Sequence, residues 1–234
     1  MSFAYKVSAW NRKRKWESFL KEIKPTAEST ILDIGFSEEE YSDTDNFLEK
    51  HYPHTEQITA LCLETPESYL HARKNRDFQV PQEAIALKNK QASKKYPQLE
   101  IITYDGKTFP FADKTFDICW SNAVLEHVGN HQEQIFFLKE IKRVAKQSFI
   151  TTPNRYFPIE VHTRIPLLHF LPKKVFDRFL HFIGKGWAAD EYMYLLSLSD
   201  LCKRLEAANI TQYRIIKNKL LFFILDFVVI FDND

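Results

Sequence analysis

Residues 30–64, TILDIGFSEEEYSDTDNFLEKHYPHTEQITALCLE, hold two short apolar runs separated by a polar stretch with helical signals. TILDIG is apolar along its length, as a parallel strand covered on both faces must be. ITALCLE, Ile58 to Glu64, repeats the pattern and predicts a second strand. Between them, Thr44 or Asp45 is placed to cap a short helix that carries Phe47 and Leu48 inward, and Pro53 closes it. The first strand delivers Asp33 and Gly35 to its carboxyl end. Where a dinucleotide fold would continue with glycines, Glu38, Glu39 and Glu40 follow.

The remaining chain repeats the alternation. LEIITYDG predicts a third strand ending at Asp105, and FDICWSN a fourth ending at Ser121 and Asn122. HQEQIFFLKEIKRVAK reads as a helix with Ile135, Leu138, Ile141 and Val144 at helical spacing, and QSFITTP as the fifth strand. LSLSDLCKRLEAAN is a further amphipathic helix with Ser199 or Asp200 as its cap. TQYRIIK and DFVVIFD then follow closely enough to pair antiparallel. Upstream, Trp16, Phe19, Leu20 and Ile23 mark the buried stripe of a helix over Arg12–Ile23, ended by Pro25. The expected class is α/β: a doubly wound, Rossmann-like, mostly parallel sheet with an antiparallel C-terminal strand. Residues 1–234 are expected to form one domain, with a helical segment over 1–28 and a polar insertion over 65–98 that carries a surface helix near Gln82 to Lys95.

Composition narrows the partners. Lys and Arg number 32 against 31 Asp and Glu, so no overall charge points to nucleic acid. The basic run NRKRK, Asn11 to Lys15, reads as the solvated face of a helix. Cys62, Cys119 and Cys202 lack the spacing of a disulfide framework or a zinc site, and no metal is expected. A reducing cytosol suits them. The N-terminus has no secretory apolar core, and LLFFILDFVVIF, Leu220 to Phe231, is too short to span a bilayer and contains Asp226. A cytoplasmic protein is the expectation, with contact to a membrane surface left open.

In an open α/β sheet, ligands bind outside the carboxyl ends of the strands. Glu64 there is placed to accept two hydrogen bonds from a ribose diol, and Asp105 to accept one from the exocyclic amine of a base. Three glutamates would repel a pyrophosphate, which needs a bare helix N-terminus. They tolerate a cationic ligand.

ILDIG, FPFADKTFDICWSNAVLEHV and FITTPNRYFPIEVHT resemble the successive signatures of class I S-adenosylmethionine-dependent methyltransferases. The middle segment is similar to that of the branch acting on small molecules, lipids and sugars. The resemblance runs from about Thr30 to Pro172 and implies S-adenosylmethionine as cofactor. It implies Asp33 and Gly35 at the methionine end, Glu64 at the ribose, Asp105 and Gly106 at the adenine, and Ser121 with Asn122 near the sulfonium. Phe36 and Ser37 stand where the family carries a second glycine, and they join the cofactor-binding set.

Residues 153–187 mix Pro, His, Arg and many aromatics, and are expected to form a lid over the acceptor. Leu167, Leu168, Phe170, Leu171, Phe176, Phe179, Leu180 and Phe182 are expected close together there, interleaved with Lys173, Lys174 and Arg178, which also suits a lipid phosphate or anionic membrane face. His127 in LEHV and His162 in EVHT are the catalytic candidates for an acceptor with a high pKa. The expected activity is methyl transfer to a small-molecule, sugar or lipid-linked acceptor. A non-catalytic methyltransferase-like binding module is the alternative, and an NAD-dependent oxidoreductase a third reading.

Overall fold

The structure is a computed structural model that describes residues 3–37, 40, 44–64, 95–160, 162–189 and 193–233. The insertion foreseen over 65–98, with its surface helix, lies outside the described residues except for 95–98. Seven strands form one sheet in the order β3-β2-β1-β4-β5-β7-β6. They are β1 (Ile31–Ile34), β2 (Ile58–Leu63), β3 (Glu100–Tyr104), β4 (Phe116–Asn122), β5 (Ala145–Pro153), β6 (Arg214–Leu220) and β7 (Phe223–Asp232). β1 pairs parallel with β2 and β2 with β3, while β6 and β7 pair antiparallel, as the sequence led us to expect. Contacts gather into two compact units, Met1–Trp120 with Ala145–Gln147, and Ser121–Val144 with Ser148–Asp234.

In the first unit, all four residues of β1 are buried. Helix α1 (Phe3–Ile23) begins nine residues before the expected start. Its buried positions are Asn11, Lys15, Phe19 and Ile23, each four residues after the last, whereas Leu20 is exposed. NRKRK is therefore not a wholly solvated face. The Lys15 stem lies in the packing, as long cationic side chains allow. Arg12 donates to the Thr44 carbonyl at 2.6 Å and pairs with Asp45 at 3.3 Å. Trp16 and Phe19 stack at 5.6 Å, and both meet Trp120 of β4 edge-on. Aromatic pairs in these geometries gain about 0.5–1.5 kcal/mol beyond area burial.

Helix α2 (Phe47–His51) lies between β1 and β2, but neither Thr44 nor Asp45 caps it. Asn46 precedes it at φ 50, and its side chain turns instead to the loop after β1. Those two expected caps are drawn upon by Arg12.

In the second unit, α3 (His131–Val144) buries Gln134, Phe137, Leu138, Ile141 and Val144. Ile135, expected inward, is half-buried beside them. β5 follows α3 without a loop, two residues earlier than its apolar run suggested. Helix α5 (Leu198–Ala207) is capped by Ser197, whose hydroxyl oxygen accepts from the Asp200 N–H at 3.1 Å while the Asp200 carboxylate accepts from the Ser197 N–H. Ser199 and Asp200, the expected caps, fall inside the helix, because the capping box places its acid three residues after the cap.

Within residues 153–187 a helix absent from our sequence reading, α4 (Lys173–Phe182), buries Phe176 and Leu180 against Ile165, Ala188, Ala189 and Met193. Of the eight apolar residues expected to gather, Leu168, Phe176, Phe179 and Leu180 share that cluster, while Leu167 and Phe182 are exposed, Phe182 by 87%. Among the described residues, no helix is long and apolar enough to cross a membrane.

Replacing the fully buried Leu180 with Ala is expected to cost about 2–5 kcal/mol, and Ser197→Ala about 1 kcal/mol. Urea unfolding of each variant against the parent chain measures both.

Candidate functional site

In the first unit, three parallel strands bring their carboxyl ends to one edge. Ile34 aligns with Leu61, and Leu63 with Tyr104, so Glu64 and Asp105 stand side by side. The Gly35 N–H reaches the Leu61 carbonyl at 3.4 Å, and the Glu64 N–H reaches the Tyr104 carbonyl at 2.8 Å. Gly35 has φ 110 and Gly106 φ 84, conformations that glycine adopts without strain and that let a ligand approach the backbone. The Glu64 side chain is exposed. Asp105 accepts from the Lys107 N–H at 3.0 Å, forming a turn, and lies 3.8 Å from the Lys107 ammonium.

The loop after β1 is held by side chains where the family would use glycines. Phe36 is buried edge-on to Tyr96 at 5.4 Å. Asn46 accepts from the Ser37 N–H at 3.0 Å and donates to the Ser37 carbonyl at 2.6 Å. Glu40 pairs with Lys50 at 2.8 Å and Lys95 at 2.7 Å, and accepts from Asn46 and the Tyr96 hydroxyl. Burial opposes its charge, but Lys50, Lys95, Tyr96 and Asn46 outweigh it and draw its carboxyl down to about 2. This acid is neutralised within the loop, and Glu38 and Glu39 lie outside the described residues.

Asp33 does not reach the surface. Burial first, then the neighbouring Glu49 carboxylate, push its carboxyl well above the usual range. Glu49 is itself buried and raised by that burial, and among the described residues neither of its oxygens has a hydrogen bond of ordinary geometry. Two buried carboxyls this close cannot both ionise, so the pair holds a proton. Sequence reading missed Glu49, whose position in a short helix gives no sign of burial. Cys119, in the same unit, is fully buried, and its thiol is pushed up by burial and by Asp33.

In the second unit, Ser121 is fully buried, with no partner for its hydroxyl among the described residues. Asn122 accepts from the Thr151 hydroxyl at 2.7 Å. Ala123 follows at φ 59, held by its N–H to the Thr151 carbonyl at 3.0 Å. This kink redirects the chain into the turn Leu125–His127.

That turn and the segment after β5 bring His127 and His162 together, with their Nε2 atoms 3.0 Å apart. Glu160 accepts from His162 Nδ1 at 2.8 Å and from the Thr163 hydroxyl at 2.6 Å. Burial would raise the Glu160 carboxyl, but His162 and Thr163 bring it down to about 2. Burial opposes charge on His162, and Glu160 overcomes it and raises the imidazole. The buried Glu126 accepts from the Thr152 hydroxyl at 3.0 Å, and its other oxygen lies 4.0 Å from His127 Nε2. Sequence reading named both histidines without their meeting, because 35 residues separate them.

The same unit contains a cavity of about 220 Å³ lined by His131, Gln134, Arg155, Lys173, Tyr194 and Arg204, among others. Lys173 pairs with Asp177 at 2.8 Å and lies 5.0 Å over the Tyr194 ring. Arg204 donates to His131 and to Gln134. Arg155 makes no ion pair among the described residues. Its charge reaches Asp200, which already serves the α5 cap.

A family profile described as a methyltransferase domain matches residues 74–148. No protein of curated function matches the chain in sequence. Among solved structures, a SAM-dependent methyltransferase from Methanosarcina mazei is 16% identical over 92% of this chain and 96% of its own, with a TM-score of 0.53. One from Aquifex aeolicus is 17% identical over 93% and 89%, with a TM-score of 0.51. PigF with SAH is 13% identical over 100% and 67%, with a TM-score of 0.53. At such identities these are likenesses of fold. The domain match spans residues 74–148, and the solved structures show a fold of the class I methyltransferase kind.

Glu64→Ala is expected to weaken S-adenosylmethionine binding by about 1.5–3 kcal/mol, the scale of hydrogen bonds to a charged acceptor. Calorimetry reads this, and unchanged affinity would remove Glu64 from the site. Glu40 supplies a second test. A carboxyl lowered from 4.5 to about 2 on folding stabilises the fold fully above its unfolded value and loses that contribution as pH falls towards the folded one. Glu40→Gln should therefore destabilise the chain at neutral pH, with the gap to the parent closing between these two values in acid-dependent unfolding.

Proposed function

We propose that this enzyme methylates a small-molecule acceptor carrying an anionic group, and that a phosphorylated sugar or the phosphate of a lipid-linked sugar falls within the same chemistry. The observation that carries the reading is Arg155, a cation lining the cavity with no ion pair among the described residues. It stands two residues after β5, and α3, α4 and α5 contribute further polar lining. These elements follow strands β4 and β5, where ligands of open α/β sheets are held. A guanidinium there offers a planar pair of donors to a carboxylate or phosphate.

The chain's own residues divide the remaining tasks. Glu64 accepts from the ribose diol, Asp105 and the Gly106 backbone meet the adenine, and the Gly35 backbone with Ser37 meets the methionine end. Asp33, its carboxyl raised by burial and by Glu49, stands in β1 two residues before Gly35. When bound, S-adenosylmethionine would supply a methyl group on a cationic sulfur, and the sulfur would depart as a neutral thioether as an acceptor lone pair takes the methyl. Alignment and exclusion of water accomplish most of such a displacement. An acceptor hydroxyl must also lose a proton, and we assign that step to the site formed by His127 and His162. The segment 153–187 acts as the acceptor lid. Pairing of Lys173 with Asp177 favours the small-molecule reading over a lipid face.

A panel of hydroxycarboxylates and sugar phosphates, each beside its neutral analogue, with S-adenosylhomocysteine formation as readout, tests the proposal. The parent chain should methylate an anionic member, and Arg155→Ala should lower kcat/KM for it roughly 10–100-fold, the scale of a lost charge-assisted pair. Neutral analogues serving equally well, with Arg155→Ala unimpaired, would overturn it.

A further inference from the structure

Glu126 and His127 of the turn after β4, and His162 of the segment after β5, direct ligand atoms at a common point. One carboxylate oxygen and two imidazole nitrogens lie within 4.8 Å of one another. The two Nε2 atoms are 3.0 Å apart, and His127 Nε2 is 4.0 Å from Glu126 Oε1. In a tetrahedral site with bonds of about 2.0–2.1 Å, neighbouring ligand atoms stand roughly 3.4 Å apart. Side-chain movements of about an ångström or less, shared among the three residues, would convert these separations into edges of a coordination polyhedron.

We propose that Glu126, His127 and His162 bind one first-row divalent metal ion, zinc above all, with at least one coordination position left open for an exogenous oxygen ligand. Two imidazoles and one carboxylate make a borderline donor set that suits zinc or iron(II) and disfavours the hard magnesium and calcium ions. Three protein ligands are the usual complement of a zinc site that keeps a position for water or substrate.

The surrounding hydrogen bonds fit this assignment. Glu160 accepts from His162 Nδ1 at 2.8 Å and from the His162 N–H at 2.9 Å, so the Nδ1 proton is held and the Nε2 lone pair faces the point. Glu160 is itself fastened by the Thr163 hydroxyl at 2.6 Å. Thr152 occupies Glu126 Oε2 at 3.0 Å and leaves Oε1 turned towards His127. Glu160 and Thr152 are thus positioning residues. The His127 and His162 side chains are 25% and 20% exposed, which provides an entry path.

The ion's role rests on the methyl-transfer reading, although the site itself does not. An acceptor hydroxyl bound at the open position would have its pKa lowered and release its proton to solvent. Its oxygen lone pair then forms the bond to methyl as the sulfur–carbon bond breaks.

The test uses the full chain after chelator treatment and dialysis. Zinc titration by calorimetry, elemental analysis, and the visible spectrum of added cobalt(II) should show one ion per chain with His and carboxylate ligands. His162→Ala should abolish stoichiometric binding, and Glu160→Gln should weaken it roughly 10–100-fold while keeping the cobalt spectrum. His54→Ala, which lies outside the cluster, should match the parent. Circular dichroism confirms that each variant is folded. Absence of stoichiometric zinc in the folded parent, or equal binding by parent and His162→Ala, would overturn the proposal and leave the two rings as a hydrogen-bonded pair. S-adenosylhomocysteine calorimetry on the same samples separates the two readings. Cofactor binding without zinc sinks only the metal site, and zinc binding without cofactor sinks only the methyl-transfer reading.

Discussion

The first unit depends on the complete burial of β1. A four-residue strand with no exposed position must have a strand on each edge and packed side chains on each face. β2 supplies one edge in parallel register, and the Ile118 N–H to the Thr30 carbonyl ties β4 to the other. Asp117 reinforces that seam by accepting from both the N–H and the hydroxyl of Thr30 at 3.0 Å. Parallel pairing then aligns the strand ends, so one covered strand determines where Gly35, Glu64 and Asp105 can stand.

Burial carries an electrostatic consequence at the third residue of that strand. Asp33 has no solvent to ionise into, and Glu49 approaches from α2. The pair keeps a proton. The loop just above uses the opposite device. Glu40 stays charged because two lysines and two neutral donors meet it, and Asn46 grips both backbone groups of Ser37. A glycine-rich loop takes its shape from backbone freedom. This one takes it from side-chain bonds.

The second unit assembles its polar groups by long-range contact. His127 and His162 meet although no helix or strand spacing relates them, and Glu160 orients one ring through a bond two residues away. Arg155, Lys173 and Arg204 come from three segments to line one cavity. Two of these cations are occupied by close neighbours, which sets Arg155 apart.

By itself, the sequence determined the order and type of the strands and most helices, the antiparallel C-terminal pair and the strand-end candidates, since hydrophobic period and chain punctuation are local properties. It also carried the methyltransferase resemblance, whose middle segment, FPFADKTFDICWSNAVLEHV, falls within the domain match. The start of α1 and the existence of α4 escaped it. FAYKVSAW lacks a clear apolar period, and PKKVFDRFLHF sits among prolines and aromatics that mask its helical stripe. The caps were misplaced by one or a few residues, because a cap is chosen by which side chain other elements leave available. Only the tertiary structure decided that Lys15 and Asp33 would be buried, that Glu40 would be neutralised, and that the two histidines would face each other beside Glu126. Burial and charge pairing depend on residues distant in the chain, and no local pattern records them.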